Sequence, residues 1–478
     1  MSKETARELP VRRGEMLQVT IERTGLEGKS IARYNEFVLF VNGGIPGDVV
    51  SIQIQKVKGT YAEARLVDVV SAGPGRTEPG CHHFGTCGGC KWQHFGYSHQ
   101  LEAKREHVMD AMQRIGGFKD LTVLPTLGSP RETGYRNKMD FTFSDNRWLL
   151  TSETAGLSEK PSNFALGLHV PGRFDKIVDI DHCLLQSPVA NRLLEEIKAF
   201  SLDSGFLPWS IKSHHGFWRS LIIRQAAHTA DLMVILVTTV DDRALLDRLA
   251  TRLTAHFPEI TSLIQITHSG PGPVPRGEGT RILAGKDHLE EMLGGIRFRI
   301  HPESFFQTNT YQAEKLFETA FRMAQLTGND HLYDLFCGPG TIGLLAARSV
   351  RKVVGMEIRP EAVENAKENA RLNGITNADF FCGDLSKQFD ELDSWSVQYG
   401  QPDIVVVDPP RAGLPDALTR KLPSLGADRI IYISCNPVTQ ARDMSILREA
   451  RYLPGPVQPV DMFPHTWHIE SIVVMTRS

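Results

Sequence analysis

The 478-residue sequence has no long hydrophobic run, little net charge and few cysteines. No stretch approaches the roughly 20 consecutive apolar residues that a membrane-spanning helix needs. The polar start MSKETARELP also lacks the apolar middle of a secretion signal. We therefore expect a soluble cytoplasmic protein with no membrane partner. Because the formal charge is only −3, composition gives no electrostatic argument for nucleic acid, and any such contact must come from local patches.

Three of the seven cysteines lie close together, at Cys81, Cys87 and Cys90. In a cytoplasmic protein this crowding favours metal or cluster ligation over disulfides. A fourth ligand could come from Cys183 in the segment DIDHCLLQS. Four thiolates suit either tetrahedral zinc or an iron–sulfur cluster, and their spacing does not separate the two.

The length predicts two to four domains. Residues 15–70 contain short alternating runs separated by Gly and Pro, which predicts a small antiparallel barrel. A Gly- and Pro-rich boundary follows at 72–81, and then a helix at 98–116. The apolar stripe of that helix consists of Leu101, Val108, Met109, Met112 and Ile115.

The rest of the chain divides into two patterns. Residues 125–300 mix strand-like runs with the helical pattern DDRALLDRLATRLTAHF, which predicts a separate α+β domain. From residue 328, near-continuous apolar strands alternate with amphipathic helices. This alternation predicts a parallel sheet covered on both faces.

A candidate cofactor site begins at the segment DLFCGPG (334–340), which follows a strand and opens a helix. Residues 338–343 also fit the dinucleotide pattern G-x-G-x-x-G, so an NAD site is the alternative. Glu357, at the end of the next strand, would accept hydrogen bonds from ribose hydroxyls with either ligand. Asp384 after the third strand and the segment from Asp408 to Arg411 after the fourth favour a methyltransferase.

A candidate nucleophile, Cys435, lies where the apolar strand RIIYIS meets a turn fixed by proline. A thiolate is the strongest nucleophile that a side chain offers at neutral pH. Attack of a thiolate on C6 of a pyrimidine would make C5 nucleophilic, and a base must later remove the C5 proton. We interpret Cys337 and Cys382 as core residues.

The candidate base is Glu470, which directly precedes the last apolar run, SIVVM. This position would place it at a strand start close to the reacting edge of the sheet. We assign no chemistry to the neighbouring His465 and His468.

Four motifs in this order and spacing are DLFCGPGTIG, VVDPPRAG, YISCNPVTQARD and DMFPHTWHIE. With them the sequence resembles the bacterial RNA uridine C5-methyltransferases, and HPESFFQTN (301–309) resembles that family's Gln motif. The resemblance implies an α/β fold with a Rossmann-like S-adenosylmethionine methyltransferase domain at 301–478. It also implies an OB-like RNA-binding TRAM barrel at 11–71 and a central α+β domain at 72–300, with helix 98–116 packed on the catalytic domain.

The same resemblance implies roles for individual residues. Cys435 would be the nucleophile, Glu470 the general base, and Asp408 would bind at the reaction centre. The S-adenosylmethionine site would be lined by Gln307, Phe336, Glu357 and Asp384, and Phe305 would pack near the target base. For Cys81, Cys87, Cys90 and Cys183 the resemblance favours a 4Fe-4S cluster over zinc.

The substrate implied is RNA, and the barrel together with the cysteine cluster favours 23S ribosomal RNA over transfer RNA. Basic and aromatic residues in KWQHF (91–95) and YRNK (135–138) could hold phosphates and stack on unpaired bases. A cytosine C5-methyltransferase would use the same thiolate chemistry, although its nucleophile is expected in a Pro-Cys pair. A non-catalytic ribosome-assembly factor is the alternative from another class. For the oligomeric state we favour a monomer.

Overall fold

The computed structural model of the chain describes residues 9–150, 163–272, 278–385 and 392–478. These residues form a barrel, a central mixed sheet and a second large sheet. Among the described helices, none combines the length and the apolar character needed to cross a membrane.

The first five strands close into a barrel because apolar side chains alternate along them and point inward. They are β1 (Met16–Thr24), β2 (Ser30–Tyr34), β3 (Phe37–Asn42), β4 (Val49–Val57) and β5 (Tyr61–Ser71). Their order around the barrel is β1-β2-β3-β5-β4. The predicted barrel is confirmed, but it is not wholly antiparallel. Because the β4–β5 hairpin inserts β5 between β3 and β4, β5 runs parallel to β3.

The central sheet has the order β13-β12-β11-β10-β6-β8-β9-β7. Its strands are β6 (Lys138–Ser144), β7 (Arg147–Trp148), β8 (Ala165–His169), β9 (Ile177–Asp179), β10 (Trp218–Gln225), β11 (Leu232–Thr238), β12 (Ile260–Thr267) and β13 (Gly279–Gly285). Helices α2 (Pro188–Asp203) and α3 (Arg243–His256) pack on it. Since α3 is a crossover between them, β11 and β12 pair parallel.

The second large sheet has the order β18-β17-β16-β19-β20-β23-β21, and β22 pairs with β23. Its strands are β16 (His331–Leu335), β17 (Lys352–Glu357), β18 (Ala378–Cys382), β19 (Ile404–Val407), β20 (Arg429–Ser434), β21 (Tyr452–Pro454), β22 (Gln458–Val460) and β23 (Glu470–Arg477). Every residue of β19 is buried, because apolar cores cover both faces.

Helices and a hairpin cover this sheet. They are α4 (Thr310–Ala324), α5 (Thr341–Ala346), α6 (Pro360–Leu372), α7 (Leu392–Tyr399), α8 (Asp416–Lys421), α9 (Pro437–Glu449) and the hairpin of β14 (Leu289–Leu293) and β15 (Ile296–Ile300). The hairpin joins the apolar core on one face of the sheet. The predicted division of the chain at residue 300 stays a prediction.

The prediction of a parallel sheet is correct for β16 to β20 and wrong for the last strands. β23 runs antiparallel to β20, and both β21 and β22 run antiparallel to β23. Residues 461–469 connect β22 to β23 without a helix, so the chain turns back instead of crossing over. This reversal brings the start of β23 to the carboxyl end of β20.

Helix α1 (Tyr97–Arg114) packs against α9 and contributes Val108 and Met112 to the core of the second large sheet. The predicted apolar stripe is wrong at its end, because Ile115 is 52% exposed. The buried face of the helix instead includes polar residues, among them Gln100 and Lys104. They turn inward because polar partners on the 461–465 segment face them.

Lys104 forms a fully buried ion pair. Its Nζ donates to Asp461 Oδ1 at 2.5 Å and to the Phe463 carbonyl at 3.1 Å, and neither charged side chain is exposed to solvent. Removing one partner of such a pair leaves the other charge buried and uncompensated. The pair therefore ties α1 to the segment that leads into β23.

We expect Lys104→Met to lower the free energy of unfolding by about 3–5 kcal/mol, because Asp461 would lose its counter-charge. Urea denaturation followed by circular dichroism measures this change. The matched control is Lys367→Met, since Lys367 pairs with Glu364 at the surface and such pairs contribute about 0–1 kcal/mol. Equal and small losses of unfolding free energy in both variants would contradict the expected contribution of the buried pair to stability.

Candidate active site

The turn between β16 and α5 is fixed by close packing and by a backbone hydrogen bond. Gly340 has φ +82°, and a Cβ there would lie 3.0 Å from both Ala366 Cβ and Phe380 Cζ. Phe336 adopts φ +69°, a left-handed conformation that is unfavourable for a residue with a side chain. Its N–H donates to the Met356 carbonyl at 3.0 Å, which holds the strained residue in place. The turn is thus tightly fixed.

Two carboxylates hold this turn. Asp334 is fully buried, and its Oδ2 accepts from the Gly343 N–H at 2.8 Å. Burial, together with the charges of Asp408 and Glu357, raises the pKa of Asp334 to about 7. Glu357 accepts from the Gly338 N–H at 3.2 Å through Oε2 and from the Arg359 N–H at 3.0 Å through Oε1. Glu357 is therefore oriented from both sides.

A cavity of about 200 Å³ lies beside these residues and is lined by Gly338, Pro339, Glu357 and Phe305, among others. A Cβ on Gly338 would meet no atom within 4 Å, so the backbone faces open space there. A carboxylate beside an open glycine backbone fits the hydroxyls of a nucleoside. The residues present therefore fit the adenosyl part of S-adenosylmethionine.

The other predicted cofactor residues are placed by their elements. Phe336 is half-buried in the turn, and Asp384 is half-buried just after β18. Gln307 is 9% exposed, and its carbonyl accepts from Asn137 Nδ2 at 2.8 Å. Their contact with a cofactor stays a prediction.

Cys435 lies at the carboxyl end of β20, between Ser434 and the cap of α9. The Asn436 side chain accepts from the Val438 N–H at 3.1 Å and donates to the Arg411 carbonyl at 2.9 Å. The thiol-bearing residue is half-buried and lines a cavity of about 390 Å³. The structure thus presents Cys435 at an accessible position on the rim of the sheet.

Glu470 and Asp408 lie on the strands next to Cys435. Glu470 begins β23 and is 6% exposed, whereas Asp408 follows β19 and is half-buried. Burial raises the pKa of Glu470 well above its usual value, and the charge of Asp408 raises it further, while Arg411 lowers it. Burial also raises the pKa of Asp408 to about 7. The structure therefore brings Cys435, Glu470 and Asp408 into one group.

The thiol of Cys435 is mostly protonated in the free protein. Burial, followed by the charges of Glu470 and Asp408, raises its pKa to about 12, although Arg411 acts in the opposite direction. Below that pKa the thiolate fraction grows about tenfold with each pH unit. We expect alkylation of Cys435 by iodoacetamide, followed by peptide mass spectrometry, to accelerate by about this factor with each pH unit, or about 100-fold from pH 8 to pH 10. N-acetylcysteine is the reference, whose rate levels off near its ordinary pKa, and a similar plateau for Cys435 would contradict the shift.

The four predicted metal-ligating cysteines share one cavity of about 420 Å³, lined by Cys81, Cys87, Cys90 and Cys183. Burial, with contributions from the neighbouring thiols, raises the pKa of Cys87 to about 11 and that of Cys90 to about 12. Their segments are also joined by a contact of 2.7 Å between His83 Nε2 and Asp181 Oδ1. The structure therefore brings the two cysteine segments together.

The remaining predicted residues give mixed results. Cys337 is buried, as predicted, but Cys382 is exposed, so its interpretation as a core residue is wrong. It ends β18, the edge strand, which pairs with β17 on one side only. The His465 carbonyl accepts from the Trp92 N–H at 3.0 Å, and His468 Nδ1 lies 3.1 Å from Arg411 Nη2.

Comparison with known proteins agrees with this architecture. The family model described as tRNA (Uracil-5-)-methyltransferase matches residues 272–478, and the TRAM domain model matches residues 10–67. A relative from Bacteroides thetaiotaomicron named an uncharacterized RNA methyltransferase is 40% identical over 94% of this chain and 99% of its own length. The chain belongs to the RNA uracil-5-methyltransferase family.

Other proteins are also similar to this methyltransferase over nearly its whole length. One from Chlorobaculum tepidum, also named an uncharacterized RNA methyltransferase, is 41% identical over 98% of both chains. The crystal structure of Pyrococcus abyssi tRNA (uracil-54, C5)-methyltransferase with S-adenosyl-L-homocysteine superposes with a TM-score of 0.73 at 28% identity. It covers 96% of this chain and 100% of its own. The predicted enzyme class and Rossmann-like fold are confirmed.

Sequence reasoning missed two features of this methyltransferase. The Lys104–Asp461 pair left no signal, because a lysine within a helix ordinarily indicates a solvated face. Trp467 and Arg411 line the cavity of Cys435, although both stand inside motifs that the sequence analysis had quoted. Their position within those motifs could have identified Trp467 and Arg411 as candidate site residues.

Proposed function

We propose that this methyltransferase transfers a methyl group from S-adenosylmethionine to C5 of a uridine in RNA, with Cys435 as nucleophile and Glu470 as general base. The observation that carries the proposal is the grouping of Cys435, Glu470 and Asp408 at the ends of neighbouring strands, with Cys435 lining a cavity of about 390 Å³. A thiol, a carboxyl group and room for a base are the elements that this reaction requires.

Cys435 loses its thiol proton to water, and the resulting thiolate adds to C6 of the uracil ring. The S–C6 bond forms while the electrons of the C5–C6 double bond move toward C5 and the C4 carbonyl. When bound, S-adenosylmethionine supplies an electrophilic methyl group on a sulfonium. Because sulfur addition has made C5 nucleophilic, the new carbon–carbon bond would form there as the bond between the methyl group and the sulfonium sulfur breaks.

Glu470 then removes the proton from C5, which now carries both hydrogen and methyl. The electrons of the C–H bond restore the C5–C6 double bond, and Cys435 leaves as a thiolate. The raised pKa of Glu470, caused first by burial, makes its carboxylate a stronger base once it is ionised. Asp408 would bind at the reaction centre beside both groups.

The residues that would hold S-adenosylmethionine lie at the ends of β16 to β18 and in the Gln motif. Glu357 would accept from the ribose hydroxyls, with Asp384, Phe336 and Gln307 around the rest of the molecule. The carboxylate of Glu357 is already fixed by two backbone N–H groups. It therefore needs little reordering when the ligand binds.

For the substrate we propose 23S ribosomal RNA, because family members with both a TRAM barrel and the cluster cysteines resemble the 23S enzymes. Transfer RNA is the second candidate. It is favoured by the similarity in fold over nearly the whole chain to the Pyrococcus abyssi enzyme, which its name assigns to transfer RNA.

The test is single-turnover methyl transfer with two RNA pools, 23S fragments and transfer RNA transcripts, followed by mass mapping of 5-methyluridine. We expect the label at C5 of uridine in a 23S fragment. Labelling of transfer RNA would show that transfer RNA is the substrate and would leave the proposed reaction unchanged. Formation of methylcytidine, or no methyl transfer to either pool, would overturn the proposed function. Mapping 5-methyluridine in RNA from a strain that lacks the protein provides the cellular counterpart.

We also propose that Cys81, Cys87, Cys90 and Cys183 hold a 4Fe-4S cluster. Their shared cavity and soft sulfur donors support the proposal. We expect anaerobically purified protein to contain about four iron and four sulfide per chain, and Cys90→Ser to lose most of both. Cys382→Ser, at an exposed cysteine, is the control. Zinc without sulfide would refute the cluster, and full iron content in Cys90→Ser would refute the ligand assignment.

A further inference from the structure

An aromatic side chain, Trp467, lines the cavity of Cys435, and the methyl-transfer steps above do not use it. Glu27, which belongs to the barrel, and His107 of α1 line the same cavity. The pocket beside the Cys435 thiol is therefore built from three parts of the chain. It contains side chains that bond formation at the uracil ring does not require.

Neighbouring groups hold the indole of Trp467. Its ring centroid lies 4.2 Å from that of His468, and the Arg411 guanidinium carbon lies 5.1 Å from the centroid. Gly28 of the barrel has φ +73°, and a Cβ there would lie 3.2 Å from Trp467 Cδ1. A ring fixed in this way loses little conformational entropy when it contacts a ligand.

The backbone that carries Trp467 is fixed as well. The His465 N–H donates to Gln100 Oε1 at 2.9 Å, and the His465 carbonyl accepts from the Lys91 N–H at 2.9 Å. These bonds tie the segment before Trp467 both to α1 and to the residue after Cys90. The indole therefore has a set position relative to the cavity.

The geometry of the reaction indicates which base Trp467 can contact. Sulfur addition to C6 and methyl addition to C5 both occur perpendicular to the pyrimidine plane, so the faces of the target ring are needed for bond formation. A nucleotide beside an extruded uridine has lost a stacking neighbour, and a new stack offsets that loss. Stacking on an aromatic side chain contributes about 1–3 kcal/mol per base.

We propose that Trp467 is a specificity-determining residue that stacks on the base next to the target uridine, with Glu27 and Gly28 of the barrel beside it. The proposal rests on the proposed function. It implies that the enzyme selects uridines in unpaired segments, where the neighbouring base is free to leave its stack. Arg411 lies beside the indole and provides positive charge for the phosphate between the two nucleotides.

The first test measures binding of a short single-stranded oligouridine to the full chain by quenching of tryptophan fluorescence. We expect Trp467→Leu to weaken binding about 5- to 150-fold, which corresponds to the loss of one stack. Trp467→Phe should restore most of the affinity. Trp148→Leu, in the central sheet, is the control for general loss of fluorescence or stability, and melting curves verify that each variant is folded.

The second test combines Trp467→Leu with an RNA fragment that has abasic nucleotides on either side of the target uridine. In the wild type, the abasic positions should raise KM by the same factor as the substitution and leave kcat nearly unchanged. In the variant they should cause no further loss, because the stack is already absent.

The possible outcomes separate the two proposals. If Trp467→Leu leaves the affinity and KM unchanged, the stacking role is overturned. The same holds if the substitution and the abasic nucleotides each raise KM independently, so that their effects multiply. Neither result contradicts uridine methylation. Binding of oligouridine that depends on Trp467, without methyl transfer to any RNA, would support the stack and overturn the proposed function.

Discussion

Replacing Cys435 with alanine is expected to reduce single-turnover methyl transfer by about 10⁴-fold or more, while the affinity for RNA stays unchanged. The loss is large because C5 of uracil is a poor nucleophile until sulfur has added to C6. The substitution removes only the sulfur atom from a half-buried position at the end of β20, so the cavity and its charged neighbours remain.

Transfer of a radiolabelled methyl group measures the rate, and filter binding measures the affinity. The matched control is Cys382→Ala, at an exposed cysteine on the same sheet, which should transfer methyl at the wild-type rate. A normal rate in the Cys435 variant would refute covalent catalysis by this residue. A parallel loss of RNA binding would instead assign the residue a role in holding substrate.

Replacing Glu470 with glutamine is expected to trap a covalent protein–RNA adduct and to lower turnover by about 10²- to 10⁴-fold. The amide has nearly the shape of the carboxyl group but cannot accept the C5 proton. Since the S–C6 bond breaks only after that proton leaves, the methylated intermediate accumulates. Denaturing gel electrophoresis with labelled RNA detects it as a shifted band.

The control for this substitution is Glu449→Gln at the end of α9, where the side chain is 69% exposed. It should leave both turnover and the gel pattern unchanged. Combining Glu470→Gln with Cys435→Ala should abolish the adduct, because no sulfur is left to form it. Full turnover without an adduct in Glu470→Gln would assign proton removal to another group.

The sequence was sufficient for the local elements of the reacting edge. Strand RIIYIS has the predicted boundaries, because apolar continuity acts over a few residues. Helix α1 was also predicted to within two residues at each end. Its buried face was not, since Lys104 is accommodated only by the distant Asp461.

The cysteines also separate what a local pattern predicts from what depends on the arrangement of the sheet. The spacing of Cys81, Cys87 and Cys90 was informative because three thiols within ten residues are already close along the chain. Cys382 was misinterpreted, because whether a strand end is covered depends on the order of strands in the sheet. That order places β18 at the edge and leaves its last residue exposed.

The sequence by itself determined the alternation of strands and helices, the family, and the candidate residues for the chemistry. Only the tertiary structure decided that β23 turns back beside β20, so that Glu470 meets Cys435 and Asp408 across neighbouring strands. It also decided that Gly28 of the barrel lies against Trp467. Short-range patterns fix backbone conformation, whereas burial, charge coupling and cavity walls arise between residues tens to hundreds of positions apart, which no local pattern records.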